Sequence, residues 1–398
     1  MRFSGFADEW NEDYLNKLFD NSNERNFESL EVLSVTINNG VLKRSDLGSD
    51  RKNKDKKSMK HVLKGDLVYN PMFMWKGASG ISSYEGITSA DYIVLKSKNN
   101  VNPIFFSHLF QTEKSLNKFK NYSQGSLLER LRLMYPQFSD IKMAFPSYEE
   151  QEKIANLLTF VDNKLELIEK KYQTYLDFKK YLMQQIFTQK LRFDFDEIRL
   201  KSISKINKGK QLNKEHMLEL GKFYVLNGGQ EPSGYTDSWN TSENTITISE
   251  GGNSCGFVNF NTEKFWSGGH CYYLNKLSEN IDVYYLYSYL KFIEPQIMRL
   301  RVGSGLPNIQ KGDIENIKIK ILPKKEQIKI SNLLLSTDNK ISSIESQKDS
   351  FEIFKKGLLQ QMFVVRINWR CNFKLVKSPS FNKHLLILKN KIIFIIIK

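Results

Sequence analysis

The chain lacks most of the signatures that would point to chemistry or export. Cysteine is scarce: 3 in 398 residues, at Cys255, Cys271 and Cys371. They make neither a disulfide framework nor a CxxC pair. His270–Cys271, with Cys255 nearby, matches no common zinc spacing, so no metal site is predicted. The first residues, MRFSGFADEW, contain no apolar core of the signal-peptide kind, which predicts a cytoplasmic protein. No Gly-Lys-Ser/Thr phosphate loop is found, which argues against an ATPase. Long apolar runs are also missing. The terminal stretch KSPSFNKHLLILKNKIIFIIIK is interrupted by Lys389 and Lys391 and is too short to cross a bilayer, so no membrane association is expected. Residues 365–398 read as an atypical tail, either a basic amphipathic extension or the product of a shifted or read-through frame.

What is abundant is positive charge. Lys and Arg number 59 against 44 Asp and Glu, a net charge of +15, while 40% of residues are hydrophobic and 26% charged. That balance describes a soluble globular protein. The excess favours a polyanionic partner, because Lys and Arg replace the counterions condensed on phosphates. The run Arg51-Lys52-Asn53-Lys54-Asp55-Lys56-Lys57 reads as a basic loop that adds non-specific phosphate attraction.

An internal duplication organises the rest. Residues 149–190 and 325–364 align without a gap at a shift of 176, the difference between Glu326 and Glu150. Glu150-Gln151 falls on Glu326-Gln327 and Asn156-Leu157-Leu158 on Asn332-Leu333-Leu334. Asp162-Asn163-Lys164 falls on Asp338-Asn339-Lys340, Phe178-Lys179-Lys180 on Phe354-Lys355-Lys356, and Gln184-Gln185 on Gln360-Gln361. Each copy carries apolar residues in alternating steps of four and three. The first has Ile154, Leu158, Val161, Leu165, Ile168, Tyr172, Tyr175, Leu182 and Ile186, interrupted by Lys179. The second has Ile330, Leu334, Ile341, Ile344, Phe351, Leu358 and Met362, with Thr337, Lys348 and Lys355 at the remaining stripe positions. Such a 3.5-residue repeat predicts coiled-coil helices. Some 40 residues would span about 60 Å, and the shared register predicts that the two copies pack on each other, antiparallel. Pro146 or Pro323 and the following Glu-Gln suit a helix start.

The segments between the helices are rich in Gly, Asn and Ser and repeat one order of elements. Asp66-Leu67-Val68-Tyr69, the Gly-rich residues 76–80 and Tyr92-Ile93-Val94-Leu95 correspond to Thr245-Ile246-Thr247-Ile248, residues 251–256 and Cys271-Tyr272-Tyr273-Leu274. A helix-like segment follows in each, Ile104–Asn121 and Val283–Arg301. Arg2-Phe3 is weakly related to Arg192-Phe193. The fold class expected is α+β, with domains at 1–147 and 191–323 separated by helices at 148–190 and 324–364, an internal pseudo-twofold repeat. The helices stayed alike while the domains diverged, as expected of spacers joining two parts that recognise different things.

Two variable domains, each followed by a helix with Glu-Gln, Leu-Leu, Asp-Asn-Lys and Lys-Lys…Gln-Gln-(Ile/Met)-Phe, resemble the specificity subunit of type I restriction–modification systems over about residues 1–364. Residues 74–80 and Gly303-Ser304-Gly305-Leu306-Pro307-Asn308-Ile309 are further family-like stretches. The resemblance implies two target recognition domains reading the halves of a bipartite duplex DNA site. It implies helices that set the half-site distance and dock two modification subunits, with two restriction subunits joining. No cofactor is expected on this chain; S-adenosylmethionine, ATP and Mg would sit on the partner subunits. Asn70-Pro71-Met72-Phe73 departs at its third residue from the Asn-Pro-Pro-Phe/Tyr signature of adenine methyltransferases. No Phe-x-Gly-x-Gly loop accompanies it, so the chain is read as non-catalytic. A coiled-coil adaptor whose globular halves bind proteins is the alternative.

Candidate DNA contacts are polar and basic residues of Gly-rich loops, where backbone approaches DNA closely and side chains supply donors. In the first domain these are Lys76, Ser79, Ser82, Ser83, Tyr84, Arg130 and Arg132. In the second they are Lys208, Lys210, Gln230, Asn253, Ser254, Ser304, Asn308 and Lys311.

Overall fold

The structure, a computed structural model, describes residues 2–37, 39–48, 55–188, 195–303, 305 and 307–363. The tail 365–398, Ser304 and Arg192-Phe193 lie outside the described residues, as do Arg51–Lys54 of the basic run. The chain divides into two units, residues 1–158 with 356–398, and residues 159–355.

The first unit is built on β1 (Asn11–Tyr14), β2 (Phe19–Ser22), β3 (Leu67–Tyr69), β4 (Ser79–Ile81), β5 (Ile93–Ser97) and β6 (Lys142–Phe145). Its helices are α1 (Pro103–Phe110) and α2 (Glu113–Tyr122), and the 40-residue helix α3 (Tyr148–Phe187) begins in it. The second unit holds β7 (Asp196–Arg199), β8 (Lys205–Lys208), β9 (Thr245–Ser249), β10 (Val258–Asn261), β11 (Cys271–Asn275) and β12 (Lys318–Ile321). It also holds α4 (Val283–Phe292), α5 (Glu294–Met298) and the start of the 40-residue helix α6 (Lys324–Phe363).

The two units share one topology. A four-stranded antiparallel sheet runs β2-β5-β3-β4 in the first and β8-β11-β9-β10 in the second, and a separate antiparallel pair is β1-β6 or β7-β12. The apolar runs seen in the sequence are the central strands: Leu67, Val68 and Tyr69 are inaccessible, as are Ile246 and Ile248. The units differ in their additions. The first carries a hairpin, Leu33–Thr36 with Gly40–Lys43, and an antiparallel pair that brackets β3 and β4, Lys60–Val62 with Gly86–Thr88. The second carries Phe223–Leu226 between Gly234–Thr236 and Trp266–Ser267.

Each expected single helical segment is broken in two. Thr112 ends the first by capping α2, its hydroxyl accepting from Ser115 N at 3.3 Å. The break in the second falls at Ile293, with Pro295 in the first turn of α5. α1 and α4 themselves start on side-chain caps, Asn102 accepting from Ile104 N and Phe105 N, and Asp282 from Tyr285 N.

These two capped helix starts are held by the long helices through a repeated contact. Gln151 and Gln327 occupy equivalent positions and are buried at 1% and 0% exposure. Gln151 Oε1 accepts from Asn102 N at 2.9 Å, and its Nε2 donates to Pro146 O at 3.0 Å. Gln327 Oε1 accepts from Asp282 N at 2.8 Å, and its Nε2 donates to Leu322 O at 2.7 Å and Asn280 O at 3.1 Å. The Glu-Gln motif therefore does more than start a helix. Glu150 is also buried, gripped by the Arg2 guanidinium at 2.9 and 2.5 Å. The Phe that ends each long helix is a core residue. Phe363 meets Trp10 and Phe105 in the first unit, and Phe187 meets Tyr285 and Tyr289 in the second.

Within the second unit the long helices lie side by side and antiparallel. Asp162 pairs with Lys355 (2.6 Å), Glu169 with Lys348 (2.7 Å), Tyr172 with Glu345 (3.5 Å) and Lys179 with Asp338 (2.5 Å). The two residue numbers of every pair have the same sum, as unbroken antiparallel register requires. The three lysines that interrupt the apolar stripe are thus the residues that meet acids across the seam. The duplication maps Asp162–Lys355 onto Asp338–Lys179. Ile154, Leu158, Val161, Ile330, Leu334, Ile341, Ile344 and Leu358 are buried, whereas Leu165, Ile168, Tyr172 and Phe351 are half-buried. Ile330 and Leu334 share one core cluster with Met183, Ile186 and Phe187.

Candidate nucleic-acid interface

At one end of the sheet in each unit, two loops are tied to each other. In the first unit the loop after β3 accepts Leu133 N on Pro71 O at 3.0 Å; in the second, the loop after β9 accepts Ile309 N on Glu250 O at 2.9 Å. The partner loop closes on itself in both cases, by reciprocal 2.9 Å bonds between Gln124 and Arg132 or between Val302 and Asn308. Gly125-Ser126 and Gly303-Ser304 are the matching sequence signal.

In the first unit Lys76, Arg130 and Arg132 are exposed on these tied loops. Lys76 Nζ sits 4.9 Å and Lys120 Nζ 5.8 Å from the Trp75 ring, whose Nε1 donates to Met72 O at 3.2 Å. Gly77 adopts φ +92, and a Cβ there would meet Gln111 Oε1 at 2.6 Å, so glycine is required. Asn70 is buried, its amide accepting from Met72 N at 3.1 Å and donating to Tyr92 OH at 3.4 Å, which shapes the turn.

Two candidates are corrected by burial. Ser79 is 4% exposed and receives Gln111 Nε2 at 3.1 Å, because it begins β4 facing inward. Ser82 is 1% exposed, and its hydroxyl donates to Tyr84 O at 2.7 Å, closing a turn. A base edge reaches neither hydroxyl in this fold. Exposed Ser83 and half-buried Tyr84 follow β4 at the end of the β3–β4 hairpin away from Lys76, beside Gly65, whose N donates to Ser82 O at 2.8 Å.

In the second unit Lys208, Tyr272 and His270 converge on one buried carboxylate. Glu250 is 4% exposed; Lys208 Nζ at 2.5 Å and Tyr272 OH at 3.1 Å donate to its Oε1, and Oε2 lies 3.4 Å from His270 Nδ1. Burial and this carboxylate push the Tyr272 phenol up to about 12. His270 N donates to Asn227 Oδ1 at 3.3 Å, which brings residues 227–230 alongside. Lys210, Gln230 and Asn253 are exposed; Ser254 and Asn308 are half-buried. Lys311 is exposed and pairs with Glu315 at 3.4 Å. Lys208 is thus bound to an acid, a role its spacing did not reveal. Glu250 itself was missed; its signal is a lone acid at the end of the apolar run Thr245–Ser249. Burial pushes the Cys271 thiol up to about 11 and raises that of Cys255. Among the described residues, no group of three or more His, Cys, Asp or Glu could hold a metal, and no helix is long and apolar enough to cross a membrane.

Comparison with known proteins agrees with this duplicated plan. The family profile for type I restriction modification DNA specificity domains matches residues 16–174 and 193–352, about four-fifths of the chain. A protein of Methanocaldococcus jannaschii, described as the specificity subunit of a type I restriction enzyme, is 24% identical over 345 residues, 77% of this chain and 79% of its own. A type I specificity subunit of Mycoplasma genitalium is 34% identical over 147 residues, 36% of this chain and 38% of its own. The crystal structure of a type I restriction–modification S subunit from M. genitalium covers 92% of this chain and 100% of its own, with a TM-score of 0.68 at 18% identity. A chain from a structure of type I complex assembly and conformational transition reaches 0.50 at 14% identity, over 89% of this chain and 97% of its own. With both halves matched by the same profile, the chain belongs to the type I restriction–modification DNA specificity family and is a recognition component rather than a catalytic one.

Proposed function

We propose that each unit reads one half of a bipartite duplex DNA site, and that the antiparallel pair of α3 and α6 sets the distance between the halves. One observation carries this reading: the same tied loop pair stands at the same sheet end of both units, on one topology, with different residues in each. Phosphate contacts would supply most of the affinity, and loop side chains at base edges the discrimination. Lys76, Arg130 and Arg132 are the contacts proposed for the first unit. Lys210, Gln230, Asn253, Ser254, Asn308 and Lys311 are those for the second, with Lys208 beside them on Glu250; Ser304 is proposed on its sequence alone, and Ser83 and Tyr84 would meet DNA only beyond the tied loops.

The long helices would also dock two modification subunits, which bind S-adenosylmethionine, and two restriction subunits, which use ATP and Mg. Each residue added to a helix shifts its end by about 1.5 Å and rotates it. The test is the methylated motif of the host genome, compared with and without this protein. A purified complex with the modification partner that shows no preference among DNA sequences at moderate salt refutes the reading.

A further inference from the structure

The loop closed by Gln124 and Arg132 presents an apolar tip. Leu127 and Leu128 are each 57% exposed, and Phe73, on the loop tied to it, is 37% exposed. Their setting is fixed by backbone contacts. Arg130 N donates to Leu127 O at 2.9 Å, and residues 128–130 form one tight turn. At Gly125, φ is +153 and a Cβ would stand 2.5 Å from Arg130 O, so the loop is packed on itself. Arg130 and Arg132, both exposed, follow the leucines in the same loop, with exposed Glu129 between Leu128 and Arg130; Lys76, exposed, lies on the tied loop with its Nζ 5.7 Å from the Phe73 ring.

We propose that Leu127 and Leu128 are a wedge that inserts against a base step of duplex DNA at the first unit's half-site, with the surrounding cations on the flanking phosphates. This rests on the reading of that unit as a DNA-recognition head. Two adjacent leucines held out on a fixed turn expose apolar surface that folding alone gives no reason to concentrate there. They have no donor or acceptor to offer a base edge, so their route to a base is through its stacking face, as apolar wedges use. Arg130 and Arg132 outnumber Glu129 in this loop, and with Lys76 on the tied loop they leave a net positive charge for the phosphates beside such a step.

The test uses the full chain with its modification partner. Single 2-aminopurine substitutions are scanned through the first unit's half-site, because this base brightens when it is unstacked. The native protein is expected to raise fluorescence several-fold at one step. Leu127→Ser with Leu128→Ser is expected to abolish that rise while the footprint over the other half-site stays. Arg130→Ala with Arg132→Ala is expected to lower the slope of log affinity against log salt by about two. Sequence-preferring binding with no brightening at any step overturns the wedge and leaves the recognition reading standing. Brightening that survives loss of both leucines also overturns it. Absence of sequence-preferring binding overturns both.

Discussion

Replacing Gln151 or Gln327 by alanine is expected to weaken one unit each, and by unequal amounts. Gln327→Ala removes three hydrogen bonds, at 2.7, 2.8 and 3.1 Å, from a side chain with 0% exposure. It strands the Asp282 amide and the Leu322 and Asn280 carbonyls where water reaches them poorly. At about 1 kcal/mol per bond, with more where a buried group stays unpaired, the loss is about 3 kcal/mol. Gln151→Ala removes two bonds, at 2.9 and 3.0 Å, and should cost about 2 kcal/mol. In units of this size 1 kcal/mol corresponds to about 2–4 °C of melting temperature, so Gln327→Ala should lower one transition by about 6–12 °C. Calorimetry reads the outcome, with the two units expected to unfold in two transitions. Gln327→Ala should move the transition of the second unit, and Gln151→Ala that of the first. Equal small shifts of both, or a larger effect at Gln151, would refute the assignment of these residues as helix-to-domain ties.

Lys179→Glu should weaken the helix seam by about 1 kcal/mol, and Asp338→Lys in the same chain should recover most of it, read as the coupling in a double-mutant cycle. Lys208→Ala should destabilise the second unit by about 1–2 kcal/mol in urea, because Glu250 keeps its burial and loses its ammonium partner. Lys210→Ala, at an exposed site, should leave the urea midpoint unchanged; equal effects would contradict the Glu250 anchor. Stability of the second unit should fall in alkali. The Cys271 thiol is raised from 9.0 to about 11 and the Tyr224, Tyr272 and Tyr287 phenols from 10.0 to about 12. The folded form holds these protons longer than the unfolded one. Their contribution is therefore complete below pH 9 and lost as pH rises towards 12, which urea midpoints across that window will show.

The duplicated helices were legible because their demands are local and periodic. The stripe of Ile154 to Ile186 and its copy name the buried face directly, and strands such as Leu67–Tyr69 stand out as short apolar runs between glycines. The lysines at 179, 348 and 355 looked like defects only because their acids lie on the other helix, about 160 to 190 positions away in sequence. Gln151 was readable as a helix-start residue but not as a tie, since its partner Asn102 is brought to it by the fold. Ser79 and Ser82 misled for a related reason. In a Gly-rich stretch, small polar residues look like surface, yet Gly77 and Gly80 allow the chain to pack so closely that both hydroxyls are enclosed. Glu250 was not legible because its partners Lys208, His270 and Tyr272 lie 20 to 42 positions away and are brought to it only by the fold.

The ladder across the seam acts as a filter on insertions and deletions. Loss of one residue between Asp162 and Glu169 turns everything beyond it by about 100° and brings Lys170 to the position that faced Lys348, cation against cation. Loss of seven leaves the stripe on its face but slides each remaining rung past its partner, unless α6 is shortened to match. Viable length variants of such a chain should therefore come as compensated pairs of edits, one in each helix, and single-helix changes should survive only outside the four rungs.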